Sequence, residues 1–137
     1  MISEFPEFTT WTLWADRAKI ADADACCGVY LLAQFRVEPA STIDVDALDE
    51  SIVRIGETHA RTFLERWGSK GNDWQSVFNR DGGVPPCLYV TASRVEPHRT
   101  VEVEQLLTGR YIERHGRRPA WHTNDGWAGR FQPFDTI

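Results

Sequence analysis

Apolar positions near the start of the chain follow helical spacing. Trp11, Trp14, Ala15 and Ala18 share one face, and Thr9 or Thr10 can cap it, which predicts a helix to about Ile20. Gly28 to Val37 then reads Gly-Val-Tyr-Leu-Leu-Ala-Gln-Phe-Arg-Val, a β-forming run that predicts a central strand. Residues 38–50 carry five acids, a Pro and a Ser-Thr pair, which predicts a loop with at most a helical turn at Val45–Leu48. Ser51 to Thr58 predicts a second strand ending near Gly56, so the two strands form a hairpin with an enlarged, acidic connection.

The pattern then returns to helical spacing. Thr58 can cap a helix whose apolar stripe is Ala60, Phe63, Leu64 and Trp67, closed by Gly68 and Gly71. A short helix over Asp73–Arg80 and a loop over 81–86 follow. Cys87–Ala92 predicts a third strand, and Pro97 leads into a helix from about Arg99 to His115 whose buried face is Val103, Leu106, Leu107 and Tyr111. The tail holds Trp121, Trp127, Phe131 and Phe134, which predicts that it packs on the domain. The predicted class is α+β: a small, mainly antiparallel three-stranded sheet flanked by helices. The whole of 1–137 reads as a single domain, with an N-terminal helix within 1–25, a core over 28–124 and a packed aromatic tail over 125–137.

Composition changes this picture in three ways. An apolar share of 42% against 26% charge excludes a disordered chain. Cys26, Cys27 and Cys87 form no CxxC pair and have no ligand spacing with His59, His98, His115 or His122, so neither a disulfide framework nor a zinc site is expected. With no basic, apolar leader and no long apolar run, a cytoplasmic location and no membrane contact are expected. The net charge of −5 is uneven: residues 1–53 hold 10 acids and 3 bases, whereas residues 54–137 hold 10 acids and 12 bases. That balance disfavours bulk DNA binding but leaves room for a local basic site in the second half. The Arg-heavy, Lys-poor usage fits a GC-rich bacterial genome.

Polar residues on these elements suggest chemistry. Tyr30 lies on the first strand, Gly56 at the end of the second, Arg61 and Arg66 beside the stripe of the following helix, and Glu102 and Glu104 at opposite margins of the last helix. A phenol, a guanidinium and a carboxylate on one cleft suit phosphodiester cleavage. The carboxylate can hold a divalent metal, the guanidinium can neutralise the phosphate, and the phenol can position water or pass a proton.

In this order the residues resemble the GIY-YIG nuclease superfamily. Gly28-Val29-Tyr30 matches the first tripeptide and Arg54-Ile55-Gly56 the second; Arg66 matches the helix Arg, and Glu104, within Glu104-x-x-Leu107, the helix Glu. Pro119-Ala120-Trp121-His122, with Asn124 just beyond, is similar to the closing Pro-x-x-Asn. The resemblance spans about residues 28–124. It implies an endonuclease that hydrolyses DNA, with RNA as the alternative, using one Mg²⁺ or Mn²⁺ on Glu104. Tyr30 would be the base or water positioner and Arg66 the transition-state cation. Gly28 and Gly56 would shape the floor. The chain departs from the pattern at Arg54, where the family has a phenol, and in a connection of 23 residues between the tripeptides. Arg54 is therefore expected to contact phosphate. An Arg stays protonated, so Tyr30 or His59 must handle the proton. Arg61 is a rival to Arg66, and Lys70 stands a turn after Arg66. A degenerate member that binds nucleic acid or protein without cutting is the second expectation. The acidic connection is expected to be a solvated insertion, or else a gate over the basic cleft. Specificity would come from these added segments, a second copy or a targeting partner.

Overall fold

A computed structural model describes residues 5–35, 38–39, 41–68 and 87–121. The fold is α+β. Strands β1 (Thr12–Leu13), β2 (Gly28–Gln34), β3 (Ile52–Thr58) and β4 (Leu88–Arg94) form one antiparallel sheet in the order β1-β4-β2-β3. The three predicted strands are present, and β1 adds a fourth. Strand β2 is flanked on both sides and covered on both faces, which is why its apolar run is nearly continuous.

Helix α1 (Phe63–Trp67) and helix α2 (Thr100–His115) pack on opposite faces of the sheet. Val29, Leu31, Ile55, Val103, Leu107 and Tyr111 make the α2-side core. Tyr30, Leu32, Phe63, Trp67, Val90 and Ala92 make the α1-side core. The split follows from the two-residue period of β2, which sends Tyr30 and Leu32 one way and Val29 and Leu31 the other.

The predicted N-terminal helix is replaced by β1 and a 3-10 helix, Trp14–Lys19. Trp11 packs edge-on to Phe35 at 5.3 Å in the α2-side core, and Trp14 lies 5.9 Å from Trp67 in the α1-side core. A helix would have placed both indoles on one face. The extended step between them lets each fill a different core.

Thr58 does not cap α1. Thr62 does, in a capping box: its hydroxyl accepts from the Glu65 amide, and Glu65 accepts from the Thr62 amide. These hydrogen bonds hold the Glu65 carboxyl below its ordinary value of 4.5. The carboxylate's share of the cap is therefore complete above that value and fades as pH falls through the lowered one.

The acidic connection is docked rather than a solvated insertion. Ala47 and Leu48 are buried in the α2-side core. Arg114 donates to both Asp46 carboxylate oxygens at 2.9 and 3.2 Å, His115 Nε2 donates to the Leu48 carbonyl at 2.6 Å, and the Tyr111 hydroxyl donates to the Ile52 carbonyl at 3.1 Å. Desolvation beneath this contact pushes the Tyr111 phenol up from its ordinary value.

After α2, Gly116 turns the chain with φ 71°, and the Trp121 amide donates to the Val53 carbonyl of β3 at 2.8 Å. His122, Asn124, the aromatic tail, Lys70, the predicted helix Asp73–Arg80 and the loop 81–86 lie outside the described residues. Among the described residues, no helix is long and apolar enough to cross a membrane.

Candidate functional site

The two glycine-containing tripeptides lie side by side. Antiparallel register pairs Tyr30 with Gly56 and Leu32 with Arg54. A Cβ on Gly56 would sit 2.3 Å from Tyr30 Cζ and 2.5 Å from its hydroxyl oxygen. The phenol ring therefore lies across β3 in the space a side chain would fill. Gly28 is required for a different reason: its φ is 156°, and a Cβ there would meet the Ser93 carbonyl at 2.0 Å and the Val95 amide nitrogen at 2.7 Å. The Tyr30 ring meets Trp67 edge-on at 5.8 Å, so α1 clamps it from above.

Arg54 occupies the same sheet face, one diagonal step from Tyr30. It is 2% exposed, and its Nε and Nη1 make no hydrogen bond within the described protein. A buried cation in this state is costly unless something anionic meets it. Tyr30, Arg54 and Gly56 thus form a closed floor beneath α1.

A second group gathers where β3 ends. Glu57, Thr58, His59, Ala60, Arg61 and Arg66 line a pocket of about 270 Å³. The turn into α1 is fixed by the Thr58 hydroxyl, which donates to the Arg61 carbonyl at 2.8 Å. Arg66 arrives from α1, next in sequence to the buried Trp67, and lines this pocket. Glu57 faces the other way along its strand and accepts from the Thr100 hydroxyl of α2 at 2.7 Å. The same Glu57 oxygen lies 3.0 Å from His59 Nδ1. Two arginines and a histidine around one carboxylate can bind an anion and leave that carboxylate a positioning task.

Glu104 is 2% exposed on α2, across the sheet from α1, and is not part of the pocket lining. It stands one helical turn after Thr100, the residue that contacts Glu57. Glu102, the other helix carboxylate, is exposed and pairs with Arg99 at 3.5 Å. Thus His59, Arg61 and Arg66 share one pocket, Tyr30, Arg54 and Gly56 share one sheet face, and Glu104 approaches from the opposite layer. Glu57 and Thr100 escape the sequence reading because their contact spans 43 residues.

Among the described residues, no cluster of three or more His, Cys, Asp or Glu side chains is arranged around a metal position. A single buried carboxylate is a hard oxygen donor. Mg²⁺ and Mn²⁺ take such donors, but their remaining positions need water and phosphate oxygens, and Glu104, buried across the sheet and outside the pocket lining, does not meet them there.

No protein-family model, no curated protein and no solved structure matches the chain.

Proposed function

We propose that the protein is a phosphodiester hydrolase of the GIY-YIG type, an endonuclease acting on DNA. One observation carries the reading: the register that lays Tyr30 across Gly56, beneath a helix that brings Arg66 to a cationic pocket at the end of β3. Arg61 and Arg66 hold the phosphodiester and offset charge developing on its oxygens. Arg54, kept out of water, strengthens the same field from below, because a desolvated cation acts through a lower dielectric. Tyr30, fully buried and outside the pocket lining, shapes the floor rather than touching the attacking water. The family pattern gives Glu104 a divalent ion that supplies charge stabilisation at the phosphate, but its burial outside the pocket does not fit that task, and no step is routed through it.

A second reading is a module that binds nucleic acid without cutting it. The burial of Tyr30 and Glu104, at 0% and 2% exposure, and Arg54 in place of a second phenol favour it.

One assay separates the two. Wild type and Glu104→Ala are incubated with duplex, single-stranded and branched DNA in Mg²⁺, Mn²⁺ or EDTA. Cleavage by wild type alone, abolished by EDTA, supports the hydrolase. Salt-dependent binding with no product under any condition supports the binding module. Cleavage by Glu104→Ala equal to wild type removes Glu104 from the reaction.

A further inference from the structure

We propose that His59 is the proton acceptor of this hydrolysis, with Glu57 and Thr100 as its positioning residues. This role rests on the hydrolase reading above and extends it to a step for which Arg54, in place of a phenol, has no capacity.

The geometry is a chain of three side chains. Thr100 is fully buried at the start of α2, and its hydroxyl donates to Glu57 Oε2 at 2.7 Å. Glu57 is thereby fixed from across the sheet; its side chain is only 17% exposed, although it stands near a strand end. The same Oε2 faces His59 Nδ1 at 3.0 Å. A carboxylate can only accept, so Nδ1 carries the hydrogen, and in the neutral ring Nε2 holds the lone pair. The His59 side chain is 53% exposed and lines the pocket with Arg61 and Arg66. The inner end of the chain is dry and ordered, and the outer end meets water where a phosphate would be held. A contact between neighbours two residues apart would ordinarily be a surface pair. The tertiary hydrogen bond from Thr100 makes this one a directed dyad.

In the step, Nε2 takes a proton from a water whose oxygen bonds to phosphorus. The bond from phosphorus to the leaving sugar oxygen breaks with its electron pair, and that oxygen takes a proton from solvent. The products are a phosphomonoester and an alcohol, and the imidazolium returns its proton to water. The ionisable groups around His59 are Glu57, Arg61 and Arg66 in this pocket, and Cys26, Cys27 and Glu65 in the adjoining one.

The test compares wild type, His59→Ala, Glu57→Gln and His98→Ala. His98 is an exposed histidine outside the pocket, paired with Glu96 at 3.4 Å. Cleavage is measured across pH, and the His59 tautomer is read from nitrogen-15 NMR of the free protein. The expected result is a fall in kcat of about a hundredfold or more for His59→Ala, with KM within about twofold and the acid limb of the pH profile lost. Glu57→Gln should lose about tenfold in kcat at unchanged KM and relax the Nδ1–H tautomer. His98→Ala should match wild type. An active wild type with His59→Ala within about twofold in kcat, or changed in KM alone, overturns the role of His59 and leaves the hydrolase standing. A wild type that cuts no substrate overturns the hydrolase and this role together. A mixed tautomer in the wild type overturns the positioning by Glu57.

Discussion

The two ends of β3 use the same residue types for opposite ends. Where the strand begins, Arg114 and His115 are spent internally: the guanidinium on Asp46, the imidazole on the Leu48 carbonyl, with Leu48 in the core beneath them. Where the strand finishes, Arg61 and His59 stand at a solvent-facing pocket, and the Glu57 carboxylate that lines it is held by Thr100. The first end is built as a clamp; the second leaves its basic groups facing solvent, as a receptor for phosphate would. Basic side chains thus mean little by number. What separates the ends is where the basic groups face: onto Asp46 and the Leu48 carbonyl at the first, onto a pocket open to solvent at the second.

The comparison can be broken from several sides. The largest effect is expected at the sheet itself. Gly28→Ala forces a Cβ against the Ser93 carbonyl and should lose roughly 4 kcal/mol or fail to fold, measured by urea unfolding. A well-folded Gly28→Ala would mean that β2 and β4 can separate, and the floor beneath Tyr30 would not be rigid.

The clamp comes next. Leu48→Ala should lower stability by about 2 kcal/mol while leaving DNA affinity unchanged. A change in affinity would show that the acidic connection reaches the basic rim, contrary to the separation drawn above.

The floor should respond in the other direction. Arg54→Met replaces a buried cation by an apolar chain of similar length and should raise stability by about 1 kcal/mol while weakening phosphate binding. Loss of stability would identify Arg54 as a structural residue.

The smallest effect on stability, and the sharpest on binding, belongs to the rim. Arg61→Ala should stay within about 0.5 kcal/mol of wild type, bind DNA about tenfold more weakly, and lower the salt dependence by about one counterion. Unchanged binding would move the nucleic-acid contact elsewhere.

Much of the sheet was legible because period-two alternation and required glycines leave a local signature. The strands carrying Tyr30 and Gly56 read as a hairpin for that reason, and the structure adds the register that sets the two residues opposite each other. The N-terminal segment was not legible. Trp11 and Trp14 are three residues apart, a spacing that a helix uses to keep side chains together and that an extended crossing uses to send them apart. Only the presence of two cores decides between them. Ala47 and Leu48 were hidden for a related reason: two apolar residues among acids carry no period, and their burial depends on the C-terminal turn of α2. At the candidate site, residues could be named from sequence but not assigned to layers. Nothing in the spacing of Glu104 says that α2 packs across the sheet from α1.

The hydrogen bond from the Trp121 amide to the Val53 carbonyl has a consequence for behaviour in concentrated solution. Strand β3 borders the sheet, and a bare border is a template onto which another chain can add. By occupying Val53 and laying a buried indole beside it, the segment after α2 blocks that addition at the start of the strand. Changes that loosen Trp121 should therefore bare this border and appear first as turbidity rather than as unfolding.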